Sequence, residues 1–245
     1  MKFISKLVEG FADIFFPPLC HVCKIQIEPG LNAHICDQCL QSFKLLTPPF
    51  CSICGSPFSG AGTNHPCSRC IKHPPAWSSA RSVFLYEGSC RDLIHLYKFG
   101  KKAILRKPLG MLTASALKPY MDECQPDLLL PVPLHRKRLQ SRGFNQALLI
   151  CEVLSSQWRL PLIRQGLRRS RNTPPQTELS SSERHVNISG AFLVPDPDLI
   201  RGKKIMLVDD VFTTGCTLNE CAKTLMASGA GSVHAVTVAR APIPS

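Results

Sequence analysis

The chain has 245 residues, of which 44% are hydrophobic and 19% are charged. This length allows one α/β domain of about 160 residues beside a small module, and it excludes a second domain of that size. The formal net charge of +12 at pH 7 favours an anionic ligand, either a phosphorylated small molecule or a nucleic acid.

The N-terminal segment, residues 1–16, carries an apolar stripe at helical spacing, formed by Phe3, Ile4, Leu7, Val8, Phe11, Ile14 and Phe15. It also contains Glu9 and Asp13, lacks a small-residue cleavage site and is too short to span a bilayer. A signal peptide and a membrane span are therefore not supported. We expect the stripe to pack against the module that follows it, with attachment to a membrane surface as the alternative.

Eight of the thirteen cysteines lie within fifty-one residues, as four Cys-x-x-Cys pairs. Each of the first four recurs 31 positions later, so the segment is an internal repeat whose units each hold two pairs. Four thiolates match the ligand set of a tetrahedral structural Zn²⁺, and so small a unit needs the metal to fold. The sequence therefore predicts two structural zinc ribbons in residues 1–75, with the ligands Cys20, Cys23, Cys36, Cys39, Cys51, Cys54, Cys67 and Cys70.

The spacing leaves the pairing of these ligands open, since the two sets of four are either sequential or interleaved. An iron–sulfur cluster uses the same ligands, whereas disulfides fit two-residue spacings less well. The nearby histidines are interpreted as surface residues: His21, His34, His65 and His73. The five remaining cysteines have no pairing pattern, which favours a reducing compartment and a cytoplasmic location.

A basic segment follows a strand predicted over residues 127–133. Residues 135–145 are predicted to form a basic turn that leads into a helix over residues 146–157. Because ligands collect at the carboxyl edge of an open α/β sheet, side chains of this turn are placed to meet a pyrophosphate. The candidates are Arg136, Lys137, Arg142 and Asn145.

Residues 168–184 are rich in proline and hydroxyl side chains and lack an apolar period, which predicts a loop that closes over a ligand. A solvated surface loop is the alternative. Between residues 135 and 185, ten Lys or Arg stand against three Glu. The candidates for contacts with the phosphates of single-stranded DNA are Arg168, Arg169 and Arg171. Weaker candidates for stacking on bases are Phe58, Trp77, Tyr97 and Phe99.

The most informative segment is residues 205–217, which read IMLVDDVFTTGCT. Its first four residues predict a strand buried on both faces, and a helix is predicted over residues 218–228 and a strand over 232–239. Asp209 and Asp210 suit the vicinal hydroxyls of a ribose. Hydroxyl and N–H groups at the start of a helix suit a phosphate, and the candidates are Thr213, Thr214, Gly215 and Thr217. A P-loop is excluded because Gly-Lys-Ser/Thr is missing, so a plain helix cap is the alternative.

This motif resembles the phosphoribosyl pyrophosphate (PRPP) signature of the type I phosphoribosyltransferases. With the cysteine pairs, the Arg-Gly-Phe-Asn turn at residues 142–145 and Pro-Pro-Gln-Thr at residues 174–177, the whole chain resembles the bacterial ComF family. The resemblance implies an α/β fold, with a type I phosphoribosyltransferase-like parallel-sheet domain (residues 76–245) preceded by a tandem zinc-ribbon module with four cysteines to each metal. It also implies Mg²⁺ bound with PRPP and a role in natural transformation, handling single-stranded DNA with proteins of the uptake machinery. A related branch is linked to gluconate use.

An enzyme of this kind also needs a site for the acceptor. Phosphoribosyl transfer places a base or an amine against the sugar carbon while PRPP and Mg²⁺ are oriented and the departing pyrophosphate is neutralised. Few residues follow the PRPP motif, so a hood that reads a nucleobase would have to come from the ribbons or from residues 76–120. The sequence identifies no base-reading or catalytic residue there. It favours a PRPP-binding protein of DNA uptake, with an active phosphoribosyltransferase as the alternative.

Overall fold

The structure is a computed structural model and describes residues 18–27, 34–60, 62–171 and 188–242. The predicted N-terminal stripe and residues 172–184 of the predicted loop lie outside these ranges. Among the helices within them, none is both long enough and apolar enough to cross a bilayer.

The described residues form eight helices and six strands. In chain order these are α1 (Asp37–Gln41), α2 (Ser68–Lys72), β1 (Ser79–Leu85), α3 (Gly88–Phe99), α4 (Arg106–Ala116), α5 (Lys118–Cys124), β2 (Leu128–Pro131), α6 (Arg136–Arg142), α7 (Gln146–Trp158), β3 (Arg168–Arg169), β4 (Phe192–Leu193), β5 (Lys204–Phe212), α8 (Cys216–Ala227) and β6 (Ser232–Arg240). Short 3-10 helices lie at Ala103–Leu105 and Pro197–Leu199.

Four strands form a parallel sheet in the order β1-β6-β5-β2, and β3 and β4 form a separate antiparallel pair. The chain passes from β5 through α8 to the neighbouring strand β6. From β2 it passes in the opposite direction, through α6 and α7, to a parallel bridge between Leu129 and Leu162. The connections therefore diverge between β2 and β5, which is where ligands bind in open α/β sheets. The predicted α/β parallel-sheet fold is confirmed.

Alternate side chains of β5 enter two separate apolar cores. Ile205 and Leu207 pack in the core that contains residues of α8, whereas Met206 and Val208 pack in the core that contains residues of α3, α4 and α7. All four side chains are buried. A strand covered by helices on both faces has no polar face, which explains the unbroken apolar run in the sequence.

The two ribbons are built into the edge of the sheet at β1. Residues 44–46, which join the ribbons, run antiparallel to this strand, and the backbone N–H of Leu46 donates to the carbonyl oxygen of Val83 at 2.8 Å. Ile35 of the first ribbon packs in the core that contains α3, whereas Cys54 of the second packs in the core that contains α8. The 31-residue repeat therefore places one unit on each face of the sheet.

Strand β5 is longer than the sequence predicts. The predicted strand ends at Val208, but β5 continues through the two aspartates to Phe212, because this part of the chain keeps its pairing with β6 and brings Phe212 opposite Arg240. The acid pair therefore lies within a strand rather than in the loop that follows it. A strand backbone fixes the direction of each carboxylate more firmly than a loop does.

Candidate functional site

The eight paired cysteines form two groups, and within each group the four sulfur atoms lie within 4.8 Å of one another. The groups are sequential, with Cys20, Cys23, Cys36 and Cys39 in the first and Cys51, Cys54, Cys67 and Cys70 in the second. Four sulfurs gathered this closely without disulfide bonds fit a tetrahedral Zn²⁺ with Zn–S bonds of about 2.3 Å. The chain thus has two zinc-binding sites of four cysteines each, and neither group of described residues includes a histidine.

Backbone N–H groups favour the thiolate of the first cysteine in each group. The sulfur of Cys51 accepts hydrogen bonds from the backbone N–H groups of Cys54 at 3.4 Å and Cys67 at 3.2 Å, and the sulfur of Cys20 accepts one from Cys36 at 3.4 Å. Burial acts to raise the pKa of both thiols, but backbone N–H donors outweigh it and lower each pKa to about 6. The thiolate is the form that binds zinc. Because cysteines supply all four ligands, these metals are structural.

The two metal centres have different surroundings. Cys23 of the first group is exposed, whereas Cys54 of the second is buried. The second group also lies against cations of the sheet: the Arg81 guanidinium donates to the carbonyl oxygen of Ser52 at 3.0 Å, and the Arg240 guanidinium donates to that of Cys54 at 2.7 Å. The second centre is therefore enclosed by the domain that contains the parallel sheet.

A cavity of about 570 Å³ opens at the carboxyl ends of β2 and β5. Val132 and Pro133 line it on the β2 side, and the acid pair and Thr213 line it on the β5 side. Residues from the carboxyl end of α3, from α6 and α7, and from β3 and α8 complete its wall. Its position is the place where the connections of the sheet diverge, and its volume lies within the range of small-molecule sites.

Asp209 and Asp210 both line this cavity, but their carboxylates have different contacts. Lys98 of α3 forms an ion pair with Asp210, with 2.8 Å between Nζ and Oδ1, and both side chains are largely buried. Asp209 accepts a hydrogen bond from the backbone N–H of Asp210 at 2.8 Å. Burial and the charge of Asp210 nevertheless raise the pKa of Asp209 to about 7. Asp209 thus changes charge near neutral pH.

The turn between β5 and α8 divides its residues between two roles. Thr213 and Thr217 line the cavity, whereas the hydroxyl of Thr214 lies against Cys216, 3.0 Å from its sulfur. Gly215 caps α8 with a φ of +82°, and a Cβ there would lie 2.8 Å from Phe212. A glycine is therefore needed for internal packing as well as for backbone conformation. The four predicted phosphate ligands thus lie in this turn and at the start of α8, and two of their side chains line the cavity.

The predicted basic turn contains helix α6, which begins where the ring nitrogen Nδ1 of His135 accepts from the backbone N–H of Lys137 at 3.3 Å. On a helix, residues four apart share a face, so Arg138 and Arg142 both line the cavity. Arg136 and Lys137 are not among the residues lining it. Gly143 ends the helix with a φ of +84°.

Asn145 lines the cavity and also determines the start of α7. Its Oδ1 accepts from the backbone N–H of Ala147 at 3.0 Å, and its amide donates to the carbonyl oxygen of Val132 at 3.1 Å. It thereby joins the amino end of α7 to the end of β2. This is a structural role beside the predicted contact with ligand.

The three arginines predicted to contact DNA point in different directions. Arg168 and Arg171 are exposed, but Arg169 is buried and lines the cavity. Burial and the nearby Arg138 lower the pKa of Arg169 to about 10. Strand alternation explains the difference, since Arg168 and Arg169 are the two residues of β3 and face opposite sides. Arg169 therefore belongs to the cavity rather than to an outer surface.

The proposed stacking residues also separate by burial. Trp77 and Tyr97 are buried in the core, so the sequence prediction that they stack on bases is wrong. Phe58 is half-buried and already stacks on His65, with 4.2 Å between the ring centroids. Phe99 is exposed and lines the cavity.

Sequence reasoning missed Lys98, Arg138 and Gln146, which all line the cavity. Arg138 carried a signal, because it stands four residues before Arg142 in a basic run. Lys98 and Gln146 lie at the end and the beginning of helices, and no motif marks them. Only the packing of α3 and α7 beside the carboxyl ends of the strands brings them to the acid pair.

Comparison with known proteins identifies two domain families in the chain. Residues 11–71 match the double zinc ribbon domain and residues 144–244 match the phosphoribosyl transferase domain. The fold and the two kinds of site define a zinc-ribbon protein with a phosphoribosyltransferase-type domain. The chain is 32% identical over 167 residues to the DNA utilization protein YhgH of Escherichia coli K12, covering 67% of this chain and 73% of that protein. It is 31% identical over 175 residues to Competence protein F of Haemophilus influenzae, covering 70% and 76%. The chain belongs to the ComF family.

Among solved structures, the chain is similar to the glutamine PRPP amidotransferase from B. subtilis. The match covers 56% of this chain and 26% of that one, with 19% sequence identity and a TM-score of 0.37.

Proposed function

We propose that the cavity beyond β2 and β5 binds PRPP together with Mg²⁺. The observation that carries this proposal is the convergence of two carboxylates, two threonines and three arginines on one cavity: Asp209, Asp210, Thr213, Thr217, Arg138, Arg142 and Arg169. PRPP has vicinal ribose hydroxyls, a 5′-phosphate and a pyrophosphate. These three parts fit the carboxylates, the threonines and the arginines, respectively. A ligand that lacks the sugar would leave the carboxylates facing only anions.

Each set of residues has a distinct task in this proposal. The two carboxylates accept the ribose hydroxyls, and Thr213 and Thr217 bind the 5′-phosphate with the N–H groups at the amino end of α8. The arginines neutralise the pyrophosphate. Carboxylate oxygens are also ligands that Mg²⁺ accepts, and this ion usually completes its shell with substrate phosphates and water. Mg²⁺ would supply charge neutralisation between the pyrophosphate and the carboxylates.

Lys98 makes the burial of two neighbouring carboxylates possible. Its ion pair with Asp210 supplies a positive charge where two carboxylates would otherwise repel each other. Binding of a cation or of ribose hydroxyls competes for the same oxygen, so Lys98 has to share or release Asp210. Its ammonium group then lies beside the sugar-phosphate and is free to bind a phosphate oxygen.

Isothermal titration with PRPP tests this proposal. The native chain is expected to bind PRPP more tightly in the presence of Mg²⁺. The double variant Asp209→Asn, Asp210→Asn is expected to lose the Mg²⁺-dependent part, with an unchanged circular dichroism spectrum. Affinity that is retained in the double variant would exclude the acid pair as the sugar site.

We further propose that the protein acts in natural transformation and handles single-stranded DNA in the cytoplasm, together with proteins of the uptake machinery. The names of its relatives, Competence protein F and DNA utilization protein YhgH, support this role. The exposed Arg168 and Arg171 and the net charge of +12 suit a phosphate backbone. The five cysteines outside the two zinc-binding groups are buried and form no disulfides, which suits a reducing compartment.

DNA binding is tested separately from PRPP binding. Replacing Arg168 and Arg171 with alanine is expected to weaken binding of a single-stranded oligonucleotide and to reduce its salt dependence, while PRPP affinity stays within about twofold. Arg169→Ala is the internal contrast, because this residue faces the cavity. It is expected to weaken PRPP binding instead. Oligonucleotide affinity that is unchanged in the Arg168, Arg171 variant would contradict the assignment.

Phosphoribosyl transfer is the second candidate function, because the cavity that would bind PRPP also has an exposed aromatic side chain, Phe99, on its wall. Release of pyrophosphate from PRPP and Mg²⁺ in the presence of nucleobases or amines measures it directly. Release that needs both an acceptor and the acid pair identifies a transferase. Binding of PRPP without release identifies a protein that senses PRPP.

A further inference from the structure

The carboxyl end of α3 supplies three consecutive residues to the region of the cavity. The Tyr97 hydroxyl donates to the backbone carbonyl oxygen of Gln146 at 2.9 Å, Lys98 pairs with Asp210, and Phe99 lines the cavity with 56% of its surface exposed. Helix α3 lies between the segments that match the two domain families. Neither family match therefore accounts for this wall.

Gln146 carries a buried amide that lacks a partner. The residue is 1% exposed and lines the cavity, and its Oε1 accepts a hydrogen bond from the Arg142 guanidinium at 3.2 Å. This contact directs the other end of the amide, because a guanidinium has only donors to offer. Among the described residues, nothing accepts a hydrogen bond from Nε2. A buried amide donor at a cavity wall is expected to find its acceptor on a ligand.

Phe99 and Gln146 belong to one corner of the cavity, because Arg142 contacts both. The guanidinium carbon of Arg142 lies 5.0 Å from the centroid of the Phe99 ring, while its Nη1 donates to Gln146. The ring of His95 supports Phe99, with 4.7 Å between the centroids. The corner therefore combines an aromatic face, a cation and one directed amide donor.

We propose that this corner is the acceptor subsite and that it binds a planar heteroaromatic ring through Phe99 and Gln146. Phe99 offers its face to the ring, and the Gln146 side chain turns toward the cavity so that its buried Nε2 donates to a carbonyl oxygen or ring nitrogen at the edge. A nucleobase has both features, whether it is free or part of a strand. A phosphate would use the amide and Arg142 but would leave an exposed phenylalanine at the wall without a contact.

The position of the corner suits the reaction that the fold would support. This inference rests on the proposed PRPP site, since Lys98 joins the corner to the carboxylates: it is the residue before Phe99 and it pairs with Asp210. A base bound on Phe99 would therefore lie on the α3 side of the sugar. This wall belongs to residues 76–120, one of the two segments from which a base-reading hood would have to come.

Titrations of the full, zinc-loaded chain test the subsite, with and without PRPP, using free nucleobases and a short single-stranded oligonucleotide. Gln146→Leu removes the donor at similar size, and Phe99→Ala removes the ring. Each is expected to lower base affinity at least about tenfold and to lower PRPP affinity by a clearly smaller factor, because each also removes a contact of Arg142. Met111→Ala is the control, because Met111 is exposed on α4 and does not line the cavity. Competition between the oligonucleotide and the free base would identify a strand as a source of the ring.

Phe99→Trp gives a readout that does not depend on loss of binding. Trp77 and Trp158 are buried, so an indole at position 99 is the accessible one among the described residues, and a ring stacked on it is expected to quench its fluorescence. Equal losses of base and PRPP affinity in Gln146→Leu would overturn the proposal and assign this amide to the phosphates. No base binding beside intact PRPP binding would also overturn it. Base binding that needs both residues while PRPP fails to bind would support the subsite and refute only the proposed PRPP function.

Discussion

Arg240, the last residue of β6, donates a hydrogen bond from Nη1 to the backbone carbonyl oxygen of Cys54 at 2.7 Å. Its Nη2 lies 3.8 Å from the sulfur of the same cysteine, and its guanidinium carbon lies 4.1 Å from the centroid of the Phe212 ring. Arg240 is only 2% exposed. A buried cation therefore lies between the second zinc-binding group and the end of β5, and the net negative charge of a zinc ion held by four thiolates explains why it is tolerated there.

Replacing Arg240 with methionine is expected to lower the free energy of unfolding by about 3 kcal/mol, because the second zinc centre loses a buried counter-charge. The same change is expected to speed zinc release from one of the two sites. A chelator with a colour change measures release, and urea denaturation measures stability. Arg201→Met is the control, since Arg201 is exposed and pairs with Asp198 on the surface. Release rates at both sites that match those of the native chain would contradict the assigned role.

The two zinc centres are expected to contribute unequally to the stability of the chain. Cys23→Ser and Cys54→Ser should each reduce bound zinc from two equivalents to about one, as measured by atomic absorption. Loss of the second centre is expected to destabilise the parallel-sheet domain more, because Cys54 is buried against Arg240 and the first centre holds the exposed Cys23. The amplitude and midpoint of thermal unfolding report this difference. Equal destabilisation by the two variants would show that the enclosure of the second centre adds nothing.

Two glycines with the same backbone conformation allow a matched test of packing beside the phosphate turn. Gly215 and Gly143 have φ of +82° and +84°, but a Cβ on Gly215 would lie 2.8 Å from Phe212 and 2.9 Å from Trp77, whereas a Cβ on Gly143 meets nothing within 4 Å. Gly143→Ala is expected to cost about 1 kcal/mol, from backbone conformation alone. Gly215→Ala is expected to cost roughly 3 kcal/mol, since overpacking adds to that term. Equal losses in urea denaturation would rule out the packing contribution.

Features encoded by local spacing were predictable from the sequence. The cysteine repeat predicted all eight ligands but left their grouping open, and the apolar run before Asp209 predicted a strand buried on both faces. Both signals are local, because a metal site needs fixed spacing of its ligands and a covered strand needs continuous apolar residues. The length of β5 was not predictable in the same way. Its last residues pair with β6, and this pairing overrides the turn that the sequence suggested.

Part of the cavity wall could not be predicted from sequence patterns. Lys98 and Gln146 lie 48 positions apart, and only the packing of α3 beside α7 brings them to one site. Burial similarly separated Arg169 from Arg168, although the two are neighbours in the sequence. The partner strand determines which residue of a two-residue strand points inward. Two adjacent arginines give no sequence signal that distinguishes one from the other.

The raised pKa of Asp209 predicts how the stability of the chain depends on pH. Its ordinary value of 3.8 applies to the unfolded chain, and burial beside Asp210 raises the pKa to about 7 in the fold. Between these values the folded chain holds a proton that the unfolded chain releases. The free energy of unfolding is therefore expected to fall as the pH rises through this window. Above about pH 7 the titration of Asp209 lowers it no further.

Asp209→Asn removes this titration, so the variant is expected to be more stable than the native chain above about pH 7, by at most about 4 kcal/mol. The difference should shrink as the pH falls toward about 4, because the native carboxyl then becomes neutral in both states. Urea denaturation at several pH values measures it. Asp198→Asn, on the surface beside Arg201, should give a curve parallel to that of the native chain. The difference in free energy of unfolding between Asp209→Asn and the native chain would contradict this prediction if it did not vary with pH. Asp209 would then already be ionised in the fold. Lys98 alone would have to balance the repulsion within the acid pair.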